Sequence, residues 1–164
     1  MKKNDLLNII VVTFFLVVGV LILANAQPKP TTQAVQIVQS PPTIAELLKL
    51  VNEERAKAGV PALVEDARLD QSAQRKTDDE VKYDYFGHVS PNDGRHGYEY
   101  MNDISIRCKG IGENLVHSIY ENTSISAVKS WIASPKHYEA MIDAKYTRTG
   151  FGISGNQIAE HFCE

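Results

Sequence analysis

Positive charge is scarce in this 164-residue chain: 17 Lys and Arg stand against 20 Asp and Glu, the net charge is −3, and no Lys/Arg block occurs. Without such a cationic field the chain cannot displace phosphate counterions, so nucleic-acid binding is excluded as its role. Cysteine is nearly absent, with two residues, and there is a single Trp. Ten Gly, seven Pro and a hydrophobic fraction of 43% exclude collagenous and fully disordered chains. No internal repeat is visible. What remains is the composition of one ordinary globular domain.

The apolar residues are front-loaded. Leu6 to Ala24 carries no charge and follows Lys2 and Lys3, the pattern of an export or membrane segment with its positive end inside. Two readings stand: a membrane anchor over 6–24, or a signal peptide cut after Ala24-Asn25-Ala26. Either places the remainder outside the cytoplasm. Residues 27–42 hold Pro28, Pro30, Pro41 and Pro42 among Gln and Thr, without sustained periodicity, and read as a flexible linker. The folded domain is then 43–164.

Thr43 and Glu46 form a capping-box pattern, and Ile44, Leu47, Leu48, Val51 and Arg55 recur at helical spacing up to Gly59 and Pro61. Asp66 to about Tyr83 reads as a second, more polar helix with Leu69, Ala73, Lys76 or Thr77, Glu80 and Val81 inward. A loop-rich middle follows, with a short helix near Tyr98 to Asn102 and extended candidates at Ile104–Ile106 and Glu113–Val116. Ser126–Ala133 and the segment from Ser134-Pro135 to about Ala144 are helical, and Gly150–Ser154 with Gln157–Cys163 suggests a closing hairpin. Helices come first and strands mostly last, which points to α+β with an antiparallel sheet.

Two cysteines in an exported protein pair most simply with each other. A Cys108–Cys163 bridge closes about 55 residues and stabilises by about 4 kcal/mol in the chain-entropy model. Neither cysteine sits in a nucleophile motif. Among the five histidines, His88 precedes Ser90-Pro91, and His137 follows Ser134-Pro135 at the third helical position. Each Ser-Pro reads as a helix cap and first residue. The helix dipole there favours a neutral His137 ring, able to bind metal or accept a proton. Glu113, in Gly112-Glu113-Asn114-Leu115, lies in an apolar stretch where an unpaired acid is costly, and a histidine is its obvious partner. His96 and His117 read as surface residues. His161 shares a strand face with Cys163 and reads as packing.

Asn52 with Arg55, Gly87-His88-Val89-Ser90-Pro91, Gly112-Glu113-Asn114-Leu115, Ser130-Trp131, Ser134-Pro135-Lys136-His137, Tyr146 to Gly152 and Phe162 occur in one order along 43–164. In that order the chain resembles bacterial members of the CAP superfamily, the cysteine-rich secretory, antigen 5 and pathogenesis-related 1 proteins, also called SCP/TAPS. The resemblance implies a three-layer α-β-α sandwich with a central antiparallel sheet and a cleft lined by His88, Glu113, Ser134 and His137. Ser134 stands where the family carries a second acid. His88 and His137 are the candidate metal ligands, with zinc the metal implied, and Glu113 is the candidate catalytic base. The role expected is an extracytoplasmic module binding an envelope glycan, lipid or protein. The alternative is a zinc-dependent hydrolase of peptide or cell-wall substrates. The same trio without metal makes a buried polar network.

Overall fold

The structure, a computed structural model, describes residues 40–164. The expected signal peptide or anchor (1–26) and nearly all of the expected linker lie outside the described residues. The helices are α1 (Ile44–Lys57), α2 (Ala67–Lys82), α3 (Glu99–Asn102), α4 (Ser124–Ala133) and α5 (Pro135–Met141), and the strands are β1 (Val64–Glu65), β2 (Ile111–His117), β3 (Arg148–Ser154) and β4 (Gln157–Cys163). Among these helices none is long and apolar enough to cross a membrane.

Local chemistry sets the helix starts. Thr43 Oγ1 accepts from Glu46 N, but the other half of the capping box is supplied from elsewhere: Thr43 N donates to Ser124 Oγ. Asp66 caps α2, and Thr123 with Ser126 forms a reciprocal box at α4. Two expectations fail in the middle of the chain. Ser90-Pro91 opens a turn and not a helix, with Ser90 Oγ accepting from Asn92 N and a bridge joining Val89 to His96. Ile104–Ile106 is turn and coil, since backbone N–H groups of Ile104 and Ile106 both bond back to Met101.

The sheet runs β1-β3-β4-β2. β3, β4 and β2 are antiparallel neighbours, while the two-residue β1 adds in parallel to β3. One sheet face packs on α1, α4 and α5 through Leu47, Val51, Val116, Val128, Trp131, Met141, Phe151, Ile158 and Phe162. The other face meets α2 and α3, so the sheet is the middle of three layers. The Cys108–Cys163 disulfide ties the end of β4 to the segment before β2.

α2 approaches β3 closely enough to replace a strand. Beyond its short pairing with β1, β3 has its Phe151 N–H bonded to Asp70 Oδ1 and both Ile153 backbone groups bonded to the Gln74 amide. This is permitted because Gly150 and Gly152 face the helix: a Cβ on Gly152 would lie 2.2 Å from the Ala73 backbone. The α1 motif residues act similarly on the opposite layer. Asn52 exchanges two hydrogen bonds with the Leu63 backbone, and the buried Arg55 donates to the carbonyls of Pro61, Met141, Asp143 and Tyr146.

Gly152→Ala is expected to destabilise by about 1–3 kcal/mol, because backbone and not a flexible side chain meets the new methyl. Urea unfolding checks this, and a change within about 0.5 kcal/mol, ordinary for a surface substitution, would contradict so close a helix–sheet contact.

Candidate functional site

The Glu113 carboxylate lies on β2, facing α2, with only 9% of its side chain exposed. His161, its direct cross-strand partner on β4, is fully buried. His161 Nε2 is 2.9 Å from Glu113 Oε2, and His88 Nδ1 is 2.6 Å from Oε1. An ionised carboxylate only accepts, so both rings donate to it. In a neutral His161 ring this leaves Nδ1, 2.8 Å from the buried Ser72 hydroxyl, to accept from Ser72. It also turns His88 Nε2 away from the carboxylate, on the exposed side of the network.

Burial acts to raise the Glu113 pKa, but the hydrogen bonds from His161 and His88 outweigh it and hold the carboxyl below its ordinary value. His88 is shifted the opposite way, chiefly by its hydrogen bond to Glu113. His137, the third residue of α5 as expected, is half-buried and displaced downward, by desolvation first and then by His88. The expected direction holds, with burial and a neighbouring ring as its causes. The His137 carbonyl accepts from Asn114 Nδ2, which anchors the start of α5 to β2.

Beneath His88 runs a buried clamp. Lys76 Nζ and Glu80 Oε1, one turn apart on α2, are 3.3 Å apart and both side chains are fully buried. Lys76 donates to the Gly87 carbonyl at 2.6 Å, and Glu80 Oε1 accepts from Gly87 N–H at 3.3 Å. The peptide groups preceding His88 are thereby fixed on both sides. Burial pushes the Glu80 carboxyl up against the pull of Lys76 and this N–H.

A cavity of about 180 Å³ opens beside the network, lined by His88, His96, Gly97, Tyr98, Ile111 and Glu113. His96 and Tyr98 stack with ring centroids 5.3 Å apart. Gly97 is required here, since a Cβ would sit 1.5 Å from Glu113 Oε2.

Of the residues expected at the site, the structure joins His88 directly to Glu113 and places His137 within electrostatic reach of His88. His137 and Ser134 lie outside the cavity lining. Ser134 links α4 to α5 through its backbone, and its hydroxyl makes no cap hydrogen bond, contrary to the capping role expected of it. His161, read as packing, does pack and also completes the pair of rings on Glu113. The Lys76–Glu80 clamp had only one visible sign, an i,i+4 pair on the inner face of α2. Among the described residues no group of three or more His, Cys, Asp and Glu side chains is arranged to hold a metal ion. His88, His137 and Glu113 are thus not grouped as a three-ligand set, and both Glu113 oxygens are already taken by ring nitrogens.

Two outcomes test this geometry. Glu113→Gln sets an amide N–H against one ring donor and should cost about 1–3 kcal/mol. The pH dependence follows from the shifts. The lowered Glu113 contributes stability present above its unfolded pKa of about 4.3 and lost as pH falls through the folded value. The raised His88 contributes stability present below about 6.5 and lost as pH rises through its folded value. The gap between wild type and Glu113→Gln should therefore be widest between about pH 4.3 and 6.5, and a flat gap contradicts the pairing. Lys76→Met leaves Glu80 buried without its cation and should cost about 3–5 kcal/mol by urea unfolding; a loss under about 1 kcal/mol would show the clamp to be dispensable.

The family model described as "Cysteine-rich secretory protein family", CAP, matches residues 48–161. An uncharacterized protein, YkwD, of Bacillus subtilis (strain 168) is 32% identical over 119 residues, 71% of this chain and 45% of that protein. The uncharacterized membrane protein YlbC of the same organism is 26% identical over 117 residues, 71% of this chain and 33% of that protein. The chain thus spans less than half the length of these curated relatives. Among solved structures, an extracellular SCP-domain protein of Bacillus anthracis superposes with a TM-score of 0.69 at 21% identity, covering 74% of this chain and 40% of that one. An outer surface protein of Borrelia burgdorferi gives 0.63 at 20% identity, covering 72% and 89%. With the layered α+β fold and the family match over 48–161 in agreement, the chain belongs to the CAP family of cysteine-rich secretory protein domains.

Proposed function

We propose that this domain works outside the cytoplasmic membrane as a ligand-binding module, using the cleft around His88, Glu113 and His137. The observation that carries this reading is the engagement of Glu113. Both carboxylate oxygens are taken by ring N–H groups, so the acid is committed to holding imidazoles in place and is not poised to take a proton from water. What the network presents outward is the exposed His88 ring, beside a cavity walled by Tyr98, Ile111 and His96. A polar group of the ligand would meet His88, with apolar or ring surface against Tyr98 and Ile111. An envelope glycan, a lipid or another protein could each present such a surface.

The location rests on the charge-free segment 6–24 behind Lys2 and Lys3 and on the Cys108–Cys163 bridge, which persists in oxidising compartments. The Bacillus anthracis and Borrelia burgdorferi neighbours, an extracellular protein and an outer surface protein, agree with it. Whether segment 6–24 is retained as an anchor or cut after Ala26 leaves this reading unchanged.

Zinc titration by calorimetry discriminates binding from metal-assisted hydrolysis. Weak zinc binding at most is expected, lost in both His88→Ala and His137→Ala. Tight stoichiometric zinc together with metal-dependent turnover of peptide or cell-wall substrates would overturn the binding reading.

A further inference from the structure

A second cavity shares Tyr98 and Ile111 with the one beside Glu113, and one half of the disulfide forms part of its wall. Its volume of about 380 Å³, with Met101, Ile106, Arg107 and Cys108 in the wall, is in the range that takes a small organic ligand. Cys108 is partly buried and lines it, whereas Cys163 is fully buried and does not. A reactant in this cavity therefore meets the bridge from the Cys108 side. Arg107 forms no ion pair among the described residues, so the wall also offers a free cation.

The other sulfur is held by a second arginine. Arg148 on β3 is the direct cross-strand partner of Cys163 on β4, and its Nη2 lies 2.8 Å from Cys163 Sγ. The same guanidinium pairs with Asp66 at 2.8 Å, but Asp66 is also paired with Arg68 at 2.7 Å. Two guanidiniums thus share one carboxylate, and one positive charge is left over beside the buried sulfur. A cation there stabilises a thiolate more than a disulfide sulfur, which makes Cys163 the better leaving group of the two.

We propose that the Cys108–Cys163 bridge is a site of thiol–disulfide exchange, where a small thiol carrying a carboxylate is captured on Cys108 and Cys163 is released as a thiolate held by Arg148. The thiol loses its proton to solvent, and its sulfur attacks Cys108 Sγ from the cavity. A new S–S bond joins it to Cys108, the bond to Cys163 breaks, and that electron pair goes to Cys163 Sγ. The incoming sulfur is oxidised and the Cys163 sulfur reduced, so no further oxidant or reductant enters. The carboxylate of the thiol faces Arg107. Attack by the Cys163 thiolate on Cys108 Sγ reverses the step. Exchange needs no unfolding, because Ile111 stays paired with Cys163 in the β2–β4 ladder and the Glu164 N–H stays on the Gly110 carbonyl. None of this chemistry uses His88, Glu113 or His137, so its failure and that of the cleft's binding role are seen separately.

The test incubates the full chain with reduced glutathione in the absence of oxygen, quenches with acid, and reads intact mass and peptide maps. One glutathione per chain is expected, on Cys108, with Cys163 as the free thiol. Arg148→Met should slow capture about tenfold through the poorer leaving group, and Arg148→Lys should restore most of the rate. Asp66 keeps Arg68 as its partner in both variants. Arg107→Ala should slow capture of glutathione more than that of 2-mercaptoethanol, which has no carboxylate.

A folded chain that yields no adduct, or an adduct on Cys163, overturns the site. An Arg148→Met rate within about twofold of the wild type overturns the role of Arg148. Equal effects of Arg107→Ala on the two thiols overturn the preference for a carboxylate. Should Arg148→Met not fold, the wild type decides: a native rate within about tenfold of that in urea supports the site, and a slower one shows a bridge reached only by unfolding.

Discussion

A carboxylate nine-tenths withdrawn from water needs donors, and Glu113 obtains them from two imidazoles that come from different parts of the fold. One ring, His161, belongs to the neighbouring strand and is held from behind by Ser72 of α2. The other, His88, arrives on the loop after α2. A single acid therefore ties the edge strand β2 to β4, to α2 and to the segment that lines the cavity. Its negative charge also sets the character of His88, and His88 in turn disfavours the charged form of His137.

This arrangement depends on how closely α2 lies against the sheet. Gly150 and Gly152 let the helix backbone approach β3, and Asp70 and Gln74 then supply the hydrogen bonds a further strand would have made. The same approach brings Ser72 to His161 and sets Lys76 and Glu80 under Gly87. Helix docking and site assembly are thus one event. The opposite layer is organised by Arg55, which gathers four carbonyls from the segments around 61 and 141–146, and by Trp131, whose Nε1–H donates to the Leu115 carbonyl on β2. At this edge the layers meet, and His88 and His137 approach each other from opposite sides of the sheet.

Strong local signals were readable in the sequence. The Thr43 cap, the spacing of Leu47, Val51 and Arg55, the polar stretch from Asp66 to Tyr83, and the β3–β4 hairpin with its two-residue turn all follow from short-range chemistry. Ser90-Pro91 shows the limit of that logic: a hydroxyl before proline starts a turn as readily as a helix, and the residues after the proline decide between them. Residues placed by motif, His88 and Glu113, do meet. His161 could not be paired with Glu113 from sequence, because the contact depends on the register of β2 against β4 across 48 residues.

CAP-family membership accounts for the fold and leaves the chemistry to the individual site. With Glu113 bonded on both sides, its carboxylate holds the two rings in orientation. The tautomer of His161 reports this organisation most directly. Long-range proton–nitrogen NMR correlations of the histidine rings should show His161 protonated on Nε2 with Nδ1 as an acceptor, and His88 carrying its hydrogen-bonded proton on Nδ1. A His161 ring protonated on Nδ1 alone, or a His88 ring averaging between tautomers as free histidine does, would contradict a carboxylate clamped between the two.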